Sequence, residues 1–385
     1  MNFLDKYLKG DKVIWAVVFL LSILSLLAVY SSIVTLAYKY HGGDTLYYLF
    51  KHGMMLLIGF GFMLLVHRLN FKYYSRISQI ALYVSAPLLI LTLSFGANIN
   101  DASRWLVIPV INQTFQTSDL AKLALIIYLA RELSKRQDQI KDFKTAFVPI
   151  MIPVLLICGL ILPANFSTAA MLFTTSLIVM FIGRINLKYI FSLIGIGLGA
   201  LMLMLLIAKA KPELLPRMDT WVKRIESFSS GEREGNYQAD QAKIAIATGG
   251  IFGKGPGGST QRNFLPHPYS DFIYAIIIEE YGLIGGVSVL ILYLILFFRG
   301  IRIAQKSEKT FGALMAIGLS FSLVFQAMIN MAVAVNLFPV TGQPLPLVSM
   351  GGTSIWFSCL AIGIILSVSA KTEEHEKTNK VNVAV

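Results

Sequence analysis

Charge is scarce in this chain. Asp, Glu, Lys and Arg make up 14% of its 385 residues, where a soluble globular protein carries about a quarter. Cysteine is nearly absent. Cys158 and Cys359 both lie inside apolar runs, which excludes a disulfide scaffold and leaves two buried thiols. The five His are scattered, and no Cys/His set has the spacing of a metal site. Alternating strand patterns are missing as well, which argues against a transmembrane barrel. The start, MNFLDKYLKGDK, leads into an apolar run too long for a cleavable signal, so this run is expected to stay as a membrane anchor.

What the chain has in abundance is apolar length. Hydrophobic residues make up 56% of it, in recurrent runs of about 18 or more, enough to span a bilayer as helices. The expected fold is an all-α polytopic membrane protein with ten spans, near 13–37, 50–67, 77–97, 116–133, 146–162, 168–183, 188–208, 271–298, 311–338 and 352–370. The fourth is short and carries Lys122. The net charge of +12 sits in short loops between spans, a membrane-orientation signature, and is not read as a nucleic-acid surface. With ten crossings every cation-rich loop falls on one side, so both termini are expected in the cytoplasm. A single domain is expected over 1–370, with a charged, disordered tail over 371–385. The one large loop, 209–270, then faces outward. Its amphipathic pieces DTWVKRIESF and QADQAKIAIA suit helices on the outer membrane surface.

The polar, Gly- and Pro-rich sequence is confined to the outer segments 98–115, 163–167, 209–270 and 339–351, so any chemistry belongs at the outer face. Asp271 stands at the start of the eighth span. It reads either as a helix N-cap, shared with Ser270, or as a general base at the water–lipid boundary. Glu279 and Glu280 lie roughly 12–13 Å further along the helix and off its line, too far for a dyad with Asp271. A structural polar network is the reading for this pair. Arg104 and Trp105 are read as a phosphate grip beside an interfacial anchor, or as two anchors. Ser118 and Lys122 share a helix face, and a lysine inside a span must meet a cavity, a partner or the interface. Two Gly-rich segments, GGIFGKGPGG at 249–258 and VSMGGTS at 348–354, are either anion-binding loops or flexible turns. One-sided cations, hydroxyls and a lone Asp around a helical bundle suit a lipid-linked sugar bearing phosphate in the outer leaflet.

Five segments carry a resemblance: SRWLVIP at 103–109, QTSDLAKLALIIYLA at 116–130, GGIFGKGPGGSTQ at 249–261, FLPHPYSDFIYAIIIEEYGLIG at 264–285, and PVTGQPLPLVSMGGTS at 339–354. In this order they resemble the SEDS family of bacterial shape, elongation, division and sporulation proteins, typified by FtsW and RodA, over about residues 13–370. The resemblance implies a peptidoglycan glycosyltransferase that polymerises lipid II outside the cytoplasmic membrane and releases undecaprenyl pyrophosphate. It implies Asp271 as the catalytic residue. Its motifs fall on Arg104, Trp105, Ser118 and Lys122, and with Lys254, Arg262 and Ser349 these are the expected substrate-binding residues, a divalent cation (Mg or Mn) being expected to help neutralise the pyrophosphate. The implied partners are lipid II, the nascent glycan strand, a class B penicillin-binding protein and other division proteins. GGSTQ at 257–261 leans to the division-type branch over the elongation-type one. The chain departs from the family pattern at Thr117, Asp119, Asn165, Ser167, Gln343 and the PHPYS segment before Asp271. The rival readings are a flippase for lipid II and a non-catalytic scaffold.

Overall fold

The computed structural model describes residues 8–99, 102–108, 113–210, 228 and 237–383. Its helices are α1 Lys12–Ser32, α2 Val34–His41, α3 Thr45–Val66, α4 Tyr74–Phe95, α5 Thr117–Lys135, α6 Val148–Ile161, α7 Phe166–Ile182, α8 Leu187–Ala210, α9 Tyr237–Gly249, α10 Ile273–Lys306, α11 Thr310–Ala334 and α12 Thr353–Val383. Each span read from the sequence coincides with one of them. Eight helices are long and apolar enough to cross a membrane, so this is a multi-pass helical membrane protein. The two that fall short are α5, which is rich in charge, and the 17-residue α7. Both still run the length of their neighbours. Thr92 and Thr117 meet at 3.0 Å at one end of the α4–α5 pair, and Arg131 donates to Ser75 Oγ at 2.9 Å at the other. Lys9 pairs with Glu374 at 3.3 Å, so the two ends of the bundle sequence lie on one side and the number of crossings between them is even.

Three departures from the sequence reading follow. The segment 98–115 is more than a connection. It holds an antiparallel sheet, β1 Ala97–Ile99, β2 Ala102–Ile108 and β3 Gln113–Gln116, in the order β1-β2-β3. The run TFQ beside WLVI supplies the β-branched and aromatic residues a strand favours. The charged stretch after residue 370 continues as helix to Val383 rather than becoming disordered. Ion pairs Lys306–Glu376 at 2.9 Å and Lys371–Glu374 at 2.9 Å brace it. Of the outer amphipathic pieces, DTWVKRIESF lies outside the described residues but for Phe228. The other piece forms α9, but its small face, Ala239, Ala242, Ala245 and Gly249, is buried in the protein. A Cβ on Gly249 would lie 2.2 Å from the Ile278 carbonyl oxygen, so glycine is what allows α9 to touch α10.

Small residues set other close approaches, as expected where lipid removes the hydrophobic drive between helices. A Cβ on Gly300 would stand 2.3 Å from Ser320 Oγ, and one on Gly59 2.8 Å from Cys359 Sγ. Cys158 and Cys359 are free and buried.

Two segments of backbone break the helical pattern inside the bundle. The first is Gly282 in α10, with φ 67° and ψ −171°. The break frees carbonyls and amides that have no water to turn to in a membrane. The Gly-rich loop satisfies them: Lys254 N donates to Glu279 O and Gly255 N to Glu280 O, both at 2.9 Å, and Leu283 N donates to Gly250 O at 2.9 Å. These amides of GGIFGKGPGG are spent on a helix break rather than on an anion. The second is the loop 339–352, read as a plain outer connection. It descends into the bundle, where Leu345, Leu347, Val348 and Ser349 are buried. Its carbonyls are met one by one. Gln326 Nε2 donates to Pro344 O at 2.9 Å, Tyr293 OH donates to Pro346 O, and Ser25 Oγ donates to Val348 O at 2.8 Å. Because Ser25 gives its proton to Val348, it accepts from His52 Nε2, 2.7 Å away.

Candidate active site

Asp271 lies in the turn before α10. Phe272 is the N-cap residue, and no side chain caps this helix, so neither Ser270 nor Asp271 serves as the cap the sequence allowed. The Asp271 carboxylate, half-buried, receives Ser270 Oγ at 2.9 Å. A Cβ on Gly342 would come within 3.6 Å of Asp271 Oδ2, so the loop 339–352 passes directly beside the carboxylate. The loop is bonded to the turn bearing Asp271 at three points. Met350 N donates to Tyr269 O at 2.9 Å, and Ser349 Oγ donates to Ser270 O at 2.6 Å. Asn330, from α11, donates to Asp271 O at 2.9 Å and to Gln343 O at 2.7 Å. Ser349 also accepts from Leu345 N at 2.8 Å. It holds the loop to the site rather than standing free. Leu347, three residues after Pro344, sits at φ 65° while buried, a left-handed conformation that a bulky residue adopts only when its surroundings impose it.

A chain of hydrogen bonds continues from Asp271 to the other predicted groups. Gln343 Nε2 donates to Thr168 Oγ1 at 2.9 Å. Asn165 Oδ1 accepts from Thr168 N at 3.2 Å and caps α7. Arg104 Nε donates to Ala164 O at 2.9 Å. Lower on α11, Gln326 joins the loop to Lys122, whose Nζ lies 3.2 Å from Gln326 Oε1 and 2.8 Å from Asp119. Lys122 is therefore partnered rather than snorkelling. Ser118 accepts from Gln116 Nε2 at 3.0 Å and, with Arg104, Thr117 and Asn165, lines a narrow cleft between α4, α5 and α6. A cavity of ≈ 40 Å³ opens between α5, α11 and α12, where Asp119, Lys122, Gln326 and Ser358 share the lining with apolar residues such as Leu123, Leu323 and Phe357. Asp119 Oδ2 is buried without a partner. Arg104 and Trp105 are consecutive in β2 at a register slip against β1, where Ala97 pairs with Trp105 and Asn98 with Ser103. Trp105 pairs with Gln116 across the ladder, and Gln116 N in turn donates to Thr353 Oγ1 at 3.3 Å.

Lys254 and Arg262 stand in a different cluster. Lys254 Nζ meets Glu279 at 2.6 Å, and Glu279 also receives Ser259 Oγ, Thr260 Oγ1 at 2.9 Å and the amides of Thr260 and Gln261. Arg262 donates to Ser31 O and Oγ at 3.2 and 3.0 Å, and Ser31 donates to Glu280. Both carboxylates are buried. Glu279 neutralises the positive charge of Lys254 in this cluster. Sequence reasoning missed Asn330, Gln326, Thr168, Ser25, His52 and Tyr293. Each is a polar residue in an apolar helix, and that rarity was the available signal.

Among the described residues no group of three or more His, Cys, Asp or Glu could hold a metal ion. The described residues thus form no cage of their own for the divalent cation that the resemblance suggested.

The profile of the cell cycle protein family FtsW/RodA/SpoVE matches residues 11–374. The probable peptidoglycan glycosyltransferase FtsW of Trichlorobacter lovleyi is 33% identical over 368 residues, covering 94% of this chain and 93% of that one. Its counterpart in Geobacter sulfurreducens is 32% identical, covering 94% and 95%. Among solved structures, a chain of a peptidoglycan synthase complex that coordinates polymerization and crosslinking superposes with a TM-score of 0.73 at 24% identity, covering 94% and 98%. A variant of the rod-shape-determining protein RodA of Thermus thermophilus gives 0.66 at 25% identity, covering 94% and 97%. A profile match along nearly the entire bundle, from the start of α1 to the brace on the last helix, shows that the chain belongs to the FtsW/RodA/SpoVE family of cell cycle proteins.

Proposed function

We propose that this protein polymerises lipid II into glycan strands at the outer face of the cytoplasmic membrane, as a division-type member of its family. The observation that carries the reading is the setting of Asp271. Its half-buried carboxylate does not cap its helix, and it is walled by a loop that side chains of α1, α7, α10 and α11 hold in place. A half-buried carboxylate at the mouth of the bundle suits the acceptance of a proton. The 4-hydroxyl of the acceptor sugar attacks the anomeric carbon of the donor, and its proton passes to Asp271. The carbon–oxygen bond to pyrophosphate breaks as the new glycosidic bond forms. One in-line displacement converts an α-linked donor into a β-linked product, so no second carboxylate nucleophile is required. Arg104, tied to this network, and Lys122, beside Gln326, bring positive charge toward the departing pyrophosphate. The partner in this reading is a class B penicillin-binding protein that crosslinks the strands.

The test is polymerisation of purified lipid II by the protein with its cognate synthase, crosslinking blocked. Asp271→Ala is expected to lower the rate by about 10²–10⁴-fold, the usual worth of a general base, with unchanged thermal unfolding. A normal rate in that variant sinks the assignment. Translocation of lipid II in vesicles without polymer would instead favour the flippase. That alternative needs ionisable groups free to exchange along a path, whereas Glu279 and Asp119 are both held in ion pairs.

A further inference from the structure

Asn330 is 1% exposed, four residues before the end of α11. One nitrogen, Nδ2, serves two backbone carbonyls that belong to different segments, Asp271 O at 2.9 Å and Gln343 O at 2.7 Å. A carboxamide has two N–H groups, so both donors are used, one on each side of the site. Its Oδ1 is buried and has no partner. Leaving such an acceptor unmet is unfavourable. Simple packing does not explain an Asn at this position, because Leu would fill the same space without that loss. What Asn does that Leu cannot is tie the turn bearing Asp271 to the edge of the loop at Gly342 and Gln343. That edge is the wall nearest the carboxylate, since a Cβ on Gly342 would lie 3.6 Å from Asp271 Oδ2. α10 begins only at Ile273 and its N-cap makes no side-chain bond, so the turn is held from outside its own helix, by Asn330 together with Ser349 and Met350 of the loop.

We infer that Asn330 is a positioning residue that fixes the distance between the Asp271 carboxylate and the loop edge at Gly342–Gln343, so that Asp271 meets the acceptor hydroxyl in reacting geometry. The inference rests on the reading of Asp271 as the general base. Asn330 reaches backbone atoms only and touches neither substrate. Its effect therefore passes through how the Asp271 turn and the loop edge at Gln343 are held against each other. Gln343, which departs from the family pattern, extends the tie to Thr168 on α7 at 2.9 Å.

The experiment is a double-mutant cycle on the protein with its cognate synthase, reading single-turnover polymerisation of lipid II and steady-state kcat and KM. The variants are Asn330→Ala, Asn330→Asp, Asp271→Ala and Asp271→Ala/Asn330→Ala. Asn330→Asp keeps the size and removes the paired donors, and so remains informative if Asn330→Ala does not fold. Both Asn330 variants are expected to lower kcat about 10²-fold, the order of loss for a misplacement near 1 Å, with KM within about twofold. In the Asp271→Ala background the second substitution is expected to cost nothing further, because a residue that acts through Asp271 has nothing left to position. An equal loss in both backgrounds, a change confined to KM, or a normal kcat in both Asn330 variants overturns the inference. A normal rate in Asp271→Ala alone refutes the base assignment instead, so the two failures are told apart by which arm moves.

Discussion

Lys254 reaches Glu279 at 2.6 Å from a loop that threads a break in the helix on which Glu279 sits. The pair is the electrostatic part of a plug whose backbone part is the bonding of residues 250–255 to residues 279–284. Lys254→Ala would leave the buried Glu279 charge without its cation, at a cost of about 3 kcal/mol, near the lower end for a broken buried pair because hydroxyls and amides remain. The expected result is a clear drop in the thermal midpoint in detergent, with KM for lipid II unchanged at permissive temperature. A normal midpoint with a raised KM would return Lys254 to the substrate.

Gly282 admits no side chain. Its φ of 67° suits glycine, and a Cβ there would lie 2.1 Å from Ile251 O, a backbone atom that cannot step aside. Gly282→Ala is expected to abolish folding or lower the yield of monodisperse protein severely. Gly61→Ala, in α3 with nothing near the added methyl, is the control. It is expected to be neutral or to stabilise by up to about 1 kcal/mol, the helix-propensity gain over glycine. Size-exclusion profiles of the two variants decide it.

The carbonyls of the re-entrant loop are satisfied by side chains one at a time. Removing one donor therefore strands one buried acceptor, at about 1–3 kcal/mol. Tyr293→Phe and Ser25→Ala are each expected to lower thermal stability by that order while leaving the lipid-facing surface intact. If Tyr293→Phe unfolds at the same temperature as the parent protein, the bond to Pro346 O contributes nothing.

The brace at the end of α12 is exposed and ionic. The Lys371 ammonium beside Glu374, helped by Lys9, holds this carboxyl below the usual glutamate range. A carboxylate whose folded pKa is depressed contributes stability that is complete above its unfolded pKa and is lost as pH falls through the folded value. The last turns of α12 should thus loosen only under acidic conditions, below the ordinary glutamate pKa, and at raised salt, since the pairs are half-exposed. Amide exchange of the segment after residue 370, at neutral and acidic pH, measures this. Equal protection under both conditions means the helix is held by something else.

The spans were legible because apolar length and loop cations act over many residues and average well. The position of Asp271 just before α10 was legible for a related reason: a carboxylate at the mouth of an apolar run is rare enough to stand out. The roles of Lys254 and of the Gly-rich loop were not. Their meaning depends on Gly282 leaving the helical region, and one glycine in an apolar run looks like any other. Asn330, Gln326, Ser25 and Tyr293 were hidden because their partners are backbone carbonyls of a loop hundreds of residues away or on another element, and backbone atoms leave no mark in a sequence. The sheet around Arg104 was hidden by its shortness, since strands of three to seven residues give little pattern to read.

The re-entrant loop also bears on biogenesis. Val348 is bonded to Ser25, 323 positions earlier, and the loop needs α1, α3, α10 and α11 in place before its carbonyls have anywhere to go. Contacts this distant in sequence form late, and chains emerge from the ribosome N-terminus first. The wall beside Asp271 can close only when nearly the whole chain has been translated and inserted. A stalled or truncated chain would hold Asp271 on an open turn, without the wall that the finished protein sets beside it.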